Sequence, residues 1–269
     1  MSDSLLLVGG GKMGSALLSG WLARGMAPQE VRVIEPNAEA AAHYDATGVA
    51  IGAAADSIPV SARPHTILFA VKPQVMDQVV PTYHRFAPHA LFISIAAGKP
   101  IAFFEKHLGA DSAVVRVMPN TPAAVGRGMS VAVANQTVTV GQRSRASGLL
   151  EAVGDVAWID DESLMDAVTA VSGSGPAYVF LLVECLAEAG ITAGLAPELA
   201  MQLARQTVSG SGELLHLAEE DAATLRRNVT SSGGTTEAAL KVLMGEPGLM
   251  ELMKRAIDAA ARRSRELAS

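Results

Sequence analysis

Leu5-Leu6-Leu7-Val8-Gly9-Gly10-Gly11-Lys12-Met13-Gly14 reads as a β-strand entering a glycine turn and then a helix, which runs on through Ser15, Ala16, Leu17, Leu18 and Trp21 at helical spacing. Gly9, Gly11 and Gly14 fit G-x-G-x-x-G. The first glycine makes the turn, the second admits a pyrophosphate, and the third lets helix and strand pack closely. A second short strand, Val31 to Ile34, ends in Glu35, 21 residues beyond Gly14 and at the acidic position expected of a dinucleotide site. A carboxylate there can hold both ribose hydroxyls of NADH and repels the extra phosphate of NADPH. Pro36 and Asn37 follow with no arginine beside them, so the coenzyme is NADPH or NADH with a lean to NADH.

Outward from this turn, the first 160 residues keep alternating short apolar runs with helical stretches. Strands are expected at 31–34, 66–71, 91–95, 114–117 and 129–133, and helices near 38–47, 74–84, 101–107 and 142–152. The pattern predicts a largely parallel α/β sheet of Rossmann type. Ligands of such sheets lie beyond the carboxyl ends of the strands. The loops Ala70-Val71-Lys72-Pro73, Ser94-Ile95-Ala96-Ala97-Gly98 and Val117-Met118-Pro119-Asn120-Thr121-Pro122 should therefore line the coenzyme. Small residues at 96–98 would let a nicotinamide ring approach the backbone. Lys72 either meets a phosphate or snorkels into solvent.

After Trp158-Ile159-Asp160-Asp161 the alternation stops, and helices are expected at roughly 163–171, 176–193, 197–216, 221–228 and 236–267. This divides the chain into a dinucleotide-binding domain, 1–160, and an all-α domain, 161–269. The second is rich in Ala, Leu, Val and Met yet has only about 109 residues in which to bury them. An uncovered apolar face of that kind predicts a homodimer built from helices. Within it, Thr230-Ser231-Ser232-Gly233-Gly234-Thr235-Thr236-Glu237 reads as an anion cradle: two glycines bring the backbone close to a ligand, and the threonines can cap the following helix. A capped loop without a ligand has the same local signature.

A net charge of -6 argues against a nucleic-acid partner, which needs clustered positive charge. Cys185 is the one cysteine, so no disulfide forms within the chain; its apolar neighbours from Tyr178 to Leu186 predict a buried thiol. The first apolar run leads into the glycine turn instead of a cleavage site, so a cytoplasmic protein is expected. Ala167 to Val183 carries no charge, but Ser172-Gly173-Ser174-Gly175-Pro176 interrupts it, and it reads as a turn plus a buried helix, not a membrane span. The six histidines show no paired spacing on one helix face and no acidic neighbours arranged as metal ligands, and no metal site is expected.

Taken together, Gly9 to Gly14, Ala70 to Pro73, Pro119 to Pro122, Asp166 to Tyr178 and Asn228 to Thr236 resemble the pyrroline-5-carboxylate reductase family over essentially the whole chain. The resemblance implies a Rossmann domain followed by an all-α dimerisation domain, with higher assembly of dimers in many members. It implies reduction of 1-pyrroline-5-carboxylate to proline by NADPH or NADH. Coenzyme contacts are then expected at Gly9, Gly11, Lys12, Met13 and Gly14, at Glu35, at Ala70, Val71, Lys72 and Pro73, and at Ile95, Ala96, Ala97 and Asn120. By the same carry-over Ser231, Ser232, Gly233, Gly234 and Thr235 bind the substrate carboxylate, Asn228 and Glu162 line or order the site, and Thr236 is the catalytic residue that hydrogen-bonds the ring nitrogen. The chain departs from the pattern at Ser232, where proline is usual, and at Asp56, near a position that often carries asparagine.

Reducing a cyclic imine needs hydride and a protonated nitrogen, so positioning should dominate over strong acid catalysis. Two other readings stand beside this one. The 3-hydroxyacid dehydrogenases also pair a glycine-turn Rossmann domain with helices, but use a lysine in the second domain; only Lys241 and Lys254 follow residue 160, neither in a matching setting. A nucleotide-sensing dimer without turnover would have no use for the carboxylate cradle.

Overall fold

The computed structural model describes residues 5–268. Its sheet comprises β1 (Leu5–Val8), β2 (Val31–Ile34), β3 (Ala50–Gly52), β4 (Thr66–Phe69), β5 (Leu91–Ser94), β6 (Ala113–Met118), β7 (Gly128–Ala134) and β8 (Gly154–Trp158), in the order β3-β2-β1-β4-β5-β6-β7-β8. The first six strands are parallel, in the 3-2-1-4-5-6 order of a doubly wound dinucleotide fold; β7 runs antiparallel to β6, and β8 parallel to β7. Every residue of β1, β4 and β5 is buried, the signature of strands covered on both faces.

Because side chains alternate along a strand, β1 feeds two cores. Leu5 and Leu7 pack with Leu17, Leu18 and Trp21 of α1 (Lys12–Ala23) on one face. Leu6 and Val8 pack on the other with Phe69, Tyr83, Phe92 and Phe104. Trp21 Nε1 donates to Leu149 O at 2.7 Å, so its one polar atom is satisfied in the core.

The intervening helices are shorter than their sequence suggests. The stretch 38–47 is α2 (Ala38–Ala42), capped by Asn37, followed by a 3-10 turn at Asp45–Thr47. The stretch 74–84 holds only α3 (Met76–Val79) between 3-10 turns Pro73–Val75 and Val80–Phe86; Pro81 has no N–H with which to continue an α-helix. α4 (Ile101–Leu108) and α5 (Val140–Leu150) lie close to expectation. Two strands were not legible: β3 has three residues, and β8 carries an exposed Asp155.

The chain forms two compact units, Met1–Gly173 with Ala261–Ser269, and Ser174–Ala260. Toward the end of the first, the 3-10 turn Glu162–Leu164 leads into α6 (Met165–Val168) and a π-helical turn, Thr169–Gly173. The expected turn at Ser172–Pro176 is reduced to a bend at Ser174, with π-helix before it and α-helix from Gly175, and by length and composition alone Glu162–Thr192 is apolar enough to cross a membrane.

In the second unit α7 (Gly175–Thr192) packs on α8 (Pro197–Leu217), with Ala187, Ala200 and Ala204 buried. α9 (Ala222–Asn228) is capped by Asp221, whose Oδ1 accepts from Thr224 N; that bond and the hydroxyl of Thr224 hold the Asp221 carboxyl below its usual range. The single helix expected at 236–267 is α10 (Thr235–Leu243) and α11 (Leu249–Ala268), separated by Gly245-Glu246-Pro247-Gly248, a glycine–proline stretch that halts winding. α7 itself is not the buried helix expected: Phe180 is 61% and Leu181 56% exposed in the single chain. Cys185 is exposed on it as well, contrary to the reading of its apolar neighbours. Apolarity here marks a face with no cover in its own chain, as the excess of apolar residues foretold.

Candidate active site

The glycine turn is built by backbone crowding. Gly9 has φ +103°, and a side chain on it would lie 2.7 Å from Ala70 O. A Cβ on Gly14 would come within 2.2 Å of Gly9 O, so helix and turn touch with no room for a methyl group. The Gly10 peptide is held on both sides: its N–H donates to Glu35 Oε2 at 2.7 Å, and its carbonyl accepts from the Tyr44 hydroxyl at 2.6 Å. Ser15 Oγ lies 2.6 Å from that hydroxyl.

α1 starts at Lys12 with Gly11 as its N-cap, no side-chain cap and no acid in its first turn. The amides of Lys12, Met13 and Gly14 thus belong to the first helical turn, where the ladder gives them no acceptor and the helix dipole favours an anion. A Cβ built on Gly11 meets nothing within 4 Å, so the space before these amides is open. The residues fit a dinucleotide diphosphate.

The neighbouring strand ends fall into line with this turn. Gly9 N donates to Ile34 O, Ala70 N to Val8 O and Ile95 N to Phe69 O, carrying the ladder one step past each strand. Ala70 to Pro73 and Ile95 to Ala97 therefore emerge beside the glycine turn, at the crevice where the strand order reverses between β1 and β4. Lys72 is exposed and starts a 3-10 turn at Pro73. A pocket of about 380 Å³ is lined by Ile34 and Pro36, the chain neighbours of Glu35, and by Asp56, Val71, Thr82 and Tyr83 among others. Burial raises the Tyr83 phenol well above its ordinary value.

Asn120 and Glu162 are already engaged within the first unit. Asn120 Oδ1 accepts from Met129 N at 2.9 Å, and its amide donates to Ser172 Oγ at 3.3 Å. Glu162 Oε1 accepts from Arg116 Nη1 at 2.8 Å and from Ile101 N at 2.9 Å, so it caps α4 and neutralises an arginine buried in β6. Arg116, Tyr44 and Ser15 carried no signal in the sequence, since their partners lie 46, 34 and 5 residues away and only the fold unites them.

In the second unit Asn228 closes α9, and Ser231 to Thr236 follow at the entry to α10. Gly233 stands at φ +73°, a conformation that favours glycine. The threonines do not cap α10: Gly234 is the N-cap, without a side-chain bond, and Glu237 instead reaches back, its Oε2 accepting from Gly233 N at 2.5 Å. Glu237 can do this from the third helical position because its side chain is long enough to reach the amide before the cap. Thr235 and Thr236 are thereby left in the first turn with free hydroxyl rotors; Thr236 is half-buried, whereas Ser231, Ser232, Thr235 and Asn228 are exposed. A pocket of about 410 Å³ beside the loop is lined by Arg226, Arg227, Thr230, Glu237, Leu240, Lys241 and Met244.

Residues 162–267 match the family model for pyrroline-5-carboxylate reductase dimerisation, and residues 4–98 match that for NADP oxidoreductase, coenzyme F420-dependent. The chain is 42% identical to a pyrroline-5-carboxylate reductase of Pseudomonas aeruginosa over 98% of its own length and 96% of the relative's. It is 42% identical to that of a Synechocystis species over 99% of each. Among solved structures, a pyrroline-5-carboxylate reductase from Coxiella burnetii superposes with a TM-score of 0.93 at 35% identity, covering 100% of both chains. The Plasmodium falciparum pyrroline carboxylate reductase with NADP bound superposes with a TM-score of 0.82 at 30% identity, again covering 100% of both.

Proposed function

The chain belongs to the pyrroline-5-carboxylate reductase family, and from that premise we propose how its own residues carry the reaction. It is an NAD(P)H-dependent oxidoreductase that reduces the C=N bond of 1-pyrroline-5-carboxylate to give L-proline, and it works as a homodimer. Full-length similarity to reductases of this substrate sets aside the hydroxyacid dehydrogenase and sensor readings.

The observation that carries the residue assignment is a backbone anion cradle in each unit, each opening a helix of nine residues or more without a side-chain cap on its N-cap residue. The first, Gly9 to Gly14, suits a diphosphate. A reduced nicotinamide coenzyme anchored there by its diphosphate would supply the hydride. The second, Ser231 to Thr235, takes the substrate carboxylate through backbone N–H groups other than that of Gly233, which Glu237 fills, and that of Gly234, which donates to Ser231 O, and Asn228 orders it from the end of α9. Thr236 hydrogen-bonds the ring nitrogen and keeps its proton directed; the imine carbon then gains hydride while the nitrogen ends as an amine. Because the substrate binds as an iminium, no strong acid is needed, and holding the two ends of the ring sets the geometry. Glu162 acts through Arg116 and the start of α4, ordering the loop that precedes Ile101.

We take residues 1–160 as the coenzyme domain and 161–269 as the dimerisation and substrate domain, a division that the match over 162–267 supports. The uncovered apolar faces of α7 and α8 suit a helical interface between two copies in the cytoplasm, with assembly of dimers beyond that. The test is the rate of NADH and NADPH oxidation by the purified protein with 1-pyrroline-5-carboxylate, beside its mass in solution. Folded protein without turnover on either coenzyme overturns the assignment, and a monomer overturns the interface.

A further inference from the structure

We propose that Tyr44, backed by Ser15, is a positioning residue for coenzyme choice: by fixing the Gly10 peptide it locks the Glu35 carboxylate in the place where it excludes a 2′-phosphate. The inference rests on the reading of Gly9 to Gly14 as the coenzyme turn. Glu35 follows β2 directly, and both of its oxygens are held by backbone amides, Oε2 by Gly10 N at 2.7 Å and Oε1 by Asn37 N at 2.9 Å. Each oxygen keeps a further lone pair with which to accept a ribose hydroxyl. A side chain held at two points cannot swing aside to admit a phosphate. Discrimination then follows from charge repulsion at a fixed position.

The amide that holds Oε2 is itself fixed from behind. Tyr44 is 4% exposed and donates to Gly10 O at 2.6 Å, and since its single proton is used there, Ser15 Oγ at 2.6 Å donates to the Tyr44 oxygen. Ser15 also lies 3.2 Å from Gly10 O. The Tyr44 ring packs so closely that a Cβ on Gly10 would fall 2.7 Å from its Cε2, so only glycine fits between the ring and the Glu35 carboxylate. Burial, reinforced by the charge of Glu35, raises the phenol above its ordinary range despite the opposing bond from Ser15, so it remains a donor at neutral pH.

The experiment is direct titration of NADH and NADPH into the full-length protein by calorimetry, without imine present, for the wild type, Tyr44→Phe, Ser15→Ala and Glu35→Gln. The wild type is expected to bind NADH more tightly. Tyr44→Phe keeps the ring but frees the Gly10 carbonyl, and should lower the preference for NADH over NADPH by about threefold to tenfold, the worth of one buried hydrogen bond. Ser15→Ala should act in the same direction and more weakly, and Glu35→Gln should abolish the preference. Equal changes in both affinities would mean that Tyr44 only supports the turn, and would overturn the proposal. So would tighter NADPH binding by the wild type, or an unchanged ratio in Tyr44→Phe that melts as the wild type does. If Tyr44→Phe fails to fold, Ser15→Ala decides. Failure to bind either coenzyme would instead sink the reading of the turn.

Discussion

Replacing Glu162 by alanine tests whether one carboxylate secures the loop before α4. The Arg116 side chain is 8% exposed and that of Glu162 29%, with 2.8 Å between Nη1 and Oε1. Removing the acid leaves a buried guanidinium without its counter-charge, a change that costs about 3–5 kcal/mol when both partners are fully buried. The partial exposure of Glu162 places this pair near the lower end, at about 3 kcal/mol, to which the lost bond to Ile101 N adds about 1 kcal/mol. At about 2–4 °C per kcal/mol for a chain of this size, Tm should fall by roughly 8–16 °C. The assay is urea and thermal unfolding at fixed protein concentration, because association contributes to the apparent stability of a dimer. The double variant Arg116→Met with Glu162→Gln keeps an acceptor for Ile101 N and removes the stranded charge, so it should recover more than half of the loss. A loss under about 1 kcal/mol for Glu162→Ala, or a double variant as unstable as the single one, would refute the reasoning.

Thr236→Ala should lower kcat by about tenfold or more while leaving the Kd of the coenzyme unchanged; a kcat within about twofold, only about 0.4 kcal/mol of barrier, removes Thr236 from the chemistry. Gly14→Ala drives a methyl group to 2.2 Å from Gly9 O, so the turn must open. Calorimetry should show coenzyme affinity reduced by about tenfold or more, equivalent to about 1.4 kcal/mol. Tyr83 has its folded pKa raised by burial, so the stability it contributes is complete below the unfolded value near 10 and is lost as pH climbs from there toward the higher folded value. Tyr83→Phe should therefore move the alkaline unfolding midpoint upward; an unmoved midpoint would show that other groups control it.

The parts of this fold visible in the sequence are those whose cause is local. Leu5 to Gly14 declares strand, turn and helix within ten residues, because glycine spacing and apolar periodicity act over one or two turns of chain. β3 and β8 escaped notice for an opposite reason: three residues make no period, and Asp155 interrupts the apolar run of a strand at the sheet edge. Arg116 is charged in the middle of β6, and only Glu162, 46 residues on, explains how it can be buried. α7 and Cys185 show a further limit. Their apolarity was plain, but whether a helix is covered by its own chain or by a second copy depends on how many other residues compete to cover it.

The candidate site was more legible than an acid–base site of the same size would have been, and its chemistry explains why. Both ligands proposed here are anionic at the end that is held, and the groups that hold them are main-chain N–H donors at helix starts. Such donors leave a mark in sequence, since Gly9, Gly14 and Gly233 occupy positions where a side chain would clash or strain the backbone. What supports the donors leaves no such mark. Glu237 closing on Gly233 N, and Tyr44 closing on Gly10 O, are bonds made by ordinary residues whose types predict nothing by themselves. A reductase that relies on placement in preference to a strong acid should therefore respond to changes at residues of this second kind as well as at the glycines. Conservative changes such as Tyr44→Phe should alter ligand ratios while leaving the fold, and the sequence motif by which the site is recognised, intact.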